Sequence, residues 1–113
     1  MPRAILVVQT RPSDPSREDE FNDWYDTKHV PELCDIPGIV SARRFKISPF
    51  QTSGAGPDPE QREYLAIYEI ESDDLEAVVA QIPERARSGR LTPSDAMQRD
   101  PGGVSVCYQL IEE

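Results

Sequence analysis

A single histidine, His29, stands in the 113-residue chain, inside the stretch WYDTKHVPELCDIPG from Trp24 to Gly38. An unperturbed imidazole titrates near pH ~6.5, so this side chain is the natural candidate for carrying a proton. Trp24 and Tyr25 precede it by about one helical turn, and Glu32 follows three residues later, where a carboxylate could orient the ring. Pro31 intervenes. It has no N–H, so the carbonyl of Thr27 loses its ordinary helical partner, and it disfavours helical dihedrals at Val30. The expectation is a helix that kinks or restarts near His29 and leaves polar backbone groups free to face a pocket. The competing reading is an imidazole that satisfies a freed carbonyl and does nothing else.

Other residues could complete such a site. In IVSARRFKIS (39–48) strand alternation places Ile39, Ser41, Arg43, Phe45 and Ile47 on one face and Val40, Ala42, Arg44 and Lys46 on the other. A cation on the mainly apolar first face needs a partner: Glu32, Glu69 or a substrate oxygen. Tyr64 and Tyr68 share one face of a later strand and could donate to a phenol or carbonyl oxygen. The expected set is therefore His29, Arg43 and Tyr68 as catalytic groups, with Trp24, Tyr25, Glu32, Tyr64 and Phe45 lining an aromatic pocket for a small organic ligand. No Gly-rich phosphate loop, paired-cysteine zinc motif or histidine cluster is present, so no metal site is expected.

These residues must be carried by regular elements. RAILVVQT (3–10) reads as a buried strand. The turn-rich RPSDPSRED leads into a helix with Ser16 as N-cap and acids in its first turn, where they suit the helix dipole. At 100° per residue Phe21, Trp24, Tyr25, Lys28, Glu32 and Ile36 share one arc, with His29 at its edge. Pro37–Gly38 turns into the second strand. REYLAIYEIE (62–71) is a third strand, SDDLEAVVAQIPERARSG a helix capped by Ser72 and disturbed by Pro83, and VSVCYQLIEE the last strand. The Pro/Gly-rich loop from Pro49 to Gln61 reads as an exposed tip, with a lid as the alternative.

The order βαββαβ, in one domain over residues 1–113, predicts an α+β ferredoxin-like fold, a four-stranded antiparallel sheet with helices on one face. Three of the strands are apolar on both sides, against the alternation expected of a half-covered sheet. A second copy packed sheet against sheet would cover the open face, so a homodimer is expected.

Composition narrows the partners. With 12 basic and 21 acidic residues the formal charge is −9, a surface that repels phosphate backbones and anionic lipid. No run approaches the roughly 20 apolar residues of a membrane span. Cys34 and Cys107 form no redox or metal motif and read as free thiols in a reducing compartment, hence a cytoplasmic protein.

The segment FNDWYDTKHVPELCDIPGIVSARRF resembles the EthD-like branch of the dimeric α+β barrel proteins. There a first-helix pattern F-x-x-[WY]-x-x-x-H-x-P is followed by a Pro-Gly turn. Phe21, Trp24 or Tyr25, His29, Pro31, Pro37 and Gly38 fall on those positions. The resemblance implies a dimeric α+β barrel. It also implies membership of a superfamily of cofactor-free monooxygenases, cyclases, isomerases, haem-degrading enzymes, haem-dependent dehydratases and proteins without known activity. The reading that follows is a small-molecule enzyme without a dedicated cofactor, acting on an aromatic or polyketide-like substrate by His-assisted proton transfer. The alternative is a non-catalytic dimeric metabolite-binding or accessory protein. Haem with His29 as axial ligand is a third, weaker reading, which needs more room than the sequence argues for.

Overall fold

The aliphatic runs form the sheet and the amphipathic stretches the helices of the computed structural model, which describes residues 2–54, 56 and 61–111. In chain order the elements are β1 (Arg3–Thr10), a 3-10 turn (Pro15–Arg17), α1 (Glu18–Trp24), a π-helical turn (Tyr25–His29), α2 (Val30–Cys34), β2 (Ile39–Lys46), β3 (Tyr64–Glu71), α3 (Leu75–Arg87) and β4 (Val104–Gln109). The strands pair antiparallel in the order β2-β3-β1-β4. This is the expected ferredoxin-like α+β architecture.

Local chemistry shifts the element starts slightly. Asp14, not Ser16, caps the first turn by accepting the Ser16 amide at 2.9 Å, and Glu18, Asp19 and Glu20 follow at the start of α1. Asp74 caps α3 through the Ala77 amide at 3.0 Å, while Ser72 supports Asp74. Pro83 does not end α3, which continues to Arg87. The 49–61 stretch lies partly outside the described residues.

Cross-strand partners share a face of the sheet. Ala4, Leu6, Val8 and Thr10 of β1 lie with Tyr64, Ala66, Tyr68 and Ile70 of β3 under the helices. Phe21, Tyr25, Ile36, Tyr68 and Ile70 are the largest fully buried side chains of this core. Gly38 makes the approach to β2 at φ 101°, and a Cβ there would meet Val78 Cγ2 at 2.6 Å, so only glycine fits.

β2 corrects the expected facing. Its register against β3 shifts between Ile39 and Ser41, so that Ile39 lies opposite Ile70 while Ser41 lies opposite Glu69. One extra residue in a strand reverses the side of everything after it. Ile39 therefore joins the core, but Arg43 and Phe45, opposite Ile67 and Leu65, turn to the open face. Ala42, Arg44 and Lys46 face the helices instead. On the open face Arg43 pairs with Glu69 at 3.0 Å, one of the partners expected for it. The same face carries Ile5, Val7, Leu65, Ile67, Val106 and Tyr108, with Phe45 45 % and Tyr108 54 % exposed.

Candidate active site

Pro31 does not break the helix. The chain keeps right-handed helical dihedrals from Trp24 through Val30 and widens by one residue, the Val30 N–H donating to the Tyr25 carbonyl. Pro31 then falls in the first turn of α2, where a missing N–H costs little. A π turn replaces the expected kink, and such turns are frequent at functional positions.

The extra residue also changes which side chains face inward. A regular helix would carry the buried stripe from Tyr25 through Lys28 to Glu32. With one residue inserted it runs through half-buried His29 to buried Leu33 and Ile36, while Lys28 is exposed. His29, at the edge of the arc by regular periodicity, thus moves inward.

His29 stacks on Trp24, with ring centroids 4.7 Å apart at 26°, and meets Tyr25 edge-on at 5.0 Å. Burial lowers its pKa to about 4; the Glu32 charge works against this and Arg44 reinforces it. The ring is therefore neutral at pH 7. The hydroxyls of Tyr25 and Tyr68 face one another near Thr10 without reaching hydrogen-bond geometry. Burial raises both phenols, so both remain protonated donors. Among the described residues four buried side-chain polar atoms lack a protein partner, and three of them are Tyr25 Oη, Tyr68 Oη and His29 Nδ1. Such groups cost roughly 1–3 kcal/mol each.

Arg44 takes the place expected of Arg43. Its guanidinium lies 4.3 Å from the Tyr25 ring centroid, and it donates to Asn22 Oδ1 and Asp26 Oδ1, each at 2.9 Å. Beside it Tyr64 donates to Glu18 at 2.6 Å and Lys46 pairs with the same oxygen at 2.9 Å. Tyr64 is thus held in a satisfied network, packed against Phe21 at 5.1 Å, and does not reach the unpartnered atoms. Glu32 does not bond His29. It accepts the Thr92 amide at 2.7 Å and the Thr92 hydroxyl at 2.5 Å. Burial alone would raise its pKa, but these bonds, with His29 when protonated and the Lys28 charge, bring it below the usual carboxylate value.

The structure thus groups His29, Trp24, Tyr25 and Tyr68, with Glu32 at the edge, and places Arg43 and Phe45 elsewhere. Sequence reasoning missed Arg44 and Thr92. The first was hidden by the β2 bulge, and the second sits in a stretch whose composition signals only a loop. The hollow expected beneath the helix holds Phe21, Tyr25 and Tyr68. A groove of about 470 Å³ lies at the sheet end between Arg3, Ile5, Glu71 and Leu110. Another of about 610 Å³ lies outside α2, between Lys28, Glu32 and Arg85. His29 lines neither.

No protein-family model matches the chain, and no curated protein matches it by sequence. Solved structures do. An EthD-family protein from Bacillus halodurans superposes with a TM-score of 0.61 at 12 % identity, over 98 % of this chain and 100 % of the other. A dimeric ferredoxin-like protein of unknown function from Jannaschia sp. gives 0.60 at 14 %, over 96 % and 99 %. MhuD, a haem-degrader from Mycobacterium tuberculosis solved with two haems in its active site, gives 0.61 at 11 %, over 97 % of each chain. The fold is that of the EthD-like, dimeric ferredoxin-like proteins. At these identities the likeness establishes the fold alone.

Proposed function

We propose that the chain is a small-molecule enzyme that moves a proton at His29 without a dedicated cofactor, acting as a cytoplasmic homodimer on an aromatic or polyketide-like substrate. The observation that carries this reading is an imidazole nitrogen and two phenol hydroxyls that are buried without hydrogen-bond partners in one core, the Tyr25 ring lying 5.0 Å from that of His29 and its hydroxyl facing Tyr68. A protein rarely leaves such groups unpaired without a use. A substrate with an acidic C–H or O–H would give its proton to neutral His29. Once the packing beneath the helix opens to admit it, the resulting oxyanion would accept from Tyr68 and Tyr25 in the positive field of Arg44. An imidazole held near pKa 4 is a weak base, but an anion forming beside it raises that pKa. Basicity would thus develop as the charge does. The apolar open face supports packing of a second copy, and the Jannaschia protein is described as dimeric.

A haem does not fit the residues as arranged. Trp24 covers a face of the His29 ring, Nδ1 is buried, and Phe21, Tyr25 and Tyr68 occupy the space beneath.

The filled core beneath His29 favours a second reading, a non-catalytic metabolite-binding dimer in which the imidazole is structural. Turnover decides between them. Native protein and His29→Gln are compared on a panel of enolisable and phenolic compounds, by absorbance and oxygen uptake. The proposal expects turnover in the native protein, lost in His29→Gln with little change in melting temperature. Equal turnover in the variant overturns the mechanism.

A further inference from the structure

Residues 88–103, between α3 and β4, form no helix or strand, yet they lie across the helices beside Trp24. Their later half is tied to the β1–α1 connection: the Ser13 amide donates to the Ala96 carbonyl at 2.6 Å, the Gln98 amide to Arg11 at 2.9 Å, and Arg17 pairs with Asp95 at 2.6 Å. Their earlier half packs Leu91 against the core and is hydrogen-bonded to the first helix through Thr92. Thr92 is exposed, yet its amide and hydroxyl both donate to Glu32, and its carbonyl accepts the Trp24 indole N–H at 2.9 Å. Three bonds on one exposed loop residue are costly in ordering entropy for a modest return each. Both partners flank His29, and Trp24 is the ring stacked on it.

We propose that Thr92 is a positioning residue: clasped between Glu32 and Trp24, it sets the indole over His29 and closes the 88–103 segment across the approach to the imidazole. The inference rests on His29 being the proton carrier and adds that the ligand reaches it when this clasp opens. Opening has two consequences of the same sign. Water reaches the imidazole, and the Glu32 carboxylate, released from two donors, is free to face it. Both favour the charged ring. The other groups near His29 do not depend on Thr92: Arg44 from β2, Lys28 on the π turn, and the neutral phenols of Tyr25 and Tyr68.

The test reads the protonation midpoint of His29 from its imidazole resonances, unambiguous with one histidine in the chain, and in parallel from the fluorescence of Trp24, the one tryptophan. Thr92→Val and Thr92→Ala remove the hydroxyl donor but keep the backbone amide and carbonyl bonds, Thr92→Pro removes both donors to Glu32, and Thr92→Ser keeps both. The expected result is a midpoint raised in Val and Ala and raised most, by about one unit or roughly tenfold in protonation constant, in Pro, which frees both Glu32 oxygens. Ser should restore the native value. An unchanged midpoint in Val and Ala, or an equal shift in Ser, overturns the proposal. The midpoint is read without turnover, so a working clasp in a protein whose His29 does no chemistry is distinguished from a clasp that does nothing.

Discussion

Acid should weaken this fold through one residue before the carboxylates begin to protonate. In the unfolded chain His29 titrates near its ordinary value of 6.5; in the folded protein burial holds it near 4. Above pH ~6.5 the ring is neutral in both states and contributes nothing. As the pH falls toward 4 the unfolded chain takes up a proton that the folded chain refuses. Stability then drops by up to ~1.4 kcal/mol per pH unit. At pH 5 the loss reaches ~2 kcal/mol, a large part of what a small domain has. The hydrogen-bonded carboxylates Glu18, Glu20, Glu32 and Asp95 have lowered pKa values, and their contribution is lost at lower pH, as it falls through their folded values. His29→Phe separates the two. It keeps an aromatic ring against Trp24 and cannot titrate. Urea unfolding followed by circular dichroism at pH 7.5, 6 and 5, at fixed protein concentration and ionic strength, should show the native protein losing ~2 kcal/mol more than the variant over that range. Parallel curves would refute the burial of the imidazole and the reasoning built on it.

The facing of β2 gives a second prediction. Arg44→Gln should raise the His29 midpoint by removing a like charge, while Arg43→Gln, on the opposite face, should leave it unchanged; imidazole resonances report both. Tyr68→Phe removes a buried hydroxyl without a partner, so the melting temperature should hold or rise; a loss above ~1.5 kcal/mol would show that the hydroxyl is satisfied. Val106→Glu puts a charge on the open face and should convert a dimer to a monomer in sedimentation; an unchanged assembly would place the interface elsewhere.

Much of the fold was legible because it rests on repeated signals. The apolar runs of β1, β3 and β4 and the caps and acids before α1 and α3 each agree with their neighbours, so one misplaced residue changes little. The site depends on single insertions. One extra residue in the π turn moves His29 and Leu33 inward in place of Lys28 and Glu32, and one in β2 exchanges Arg44 for Arg43. Periodicity counts whole elements and is blind to such a step. Pro31 did signal the first, though not whether the helix would break or widen. For the second, Ala42, Arg44 and Lys46 alternate as well as Ser41, Arg43 and Phe45 do, and pattern alone could not choose the buried set. Thr92 lies 60 residues from Glu32, beyond any local signal.

The central claim is that His29, Tyr25 and Tyr68 await an acidic organic ligand. The direct measurement is to titrate the protein, labelled at its one histidine, with salicylate and 1-hydroxy-2-naphthoate while following the imidazole nitrogens by NMR. The account predicts that a bound phenolic acid shifts the Nδ1 resonance and raises the His29 pKa toward neutrality, with the effect lost in Tyr68→Phe combined with Arg44→Gln. Imidazole signals that stay fixed at saturating ligand would contradict it.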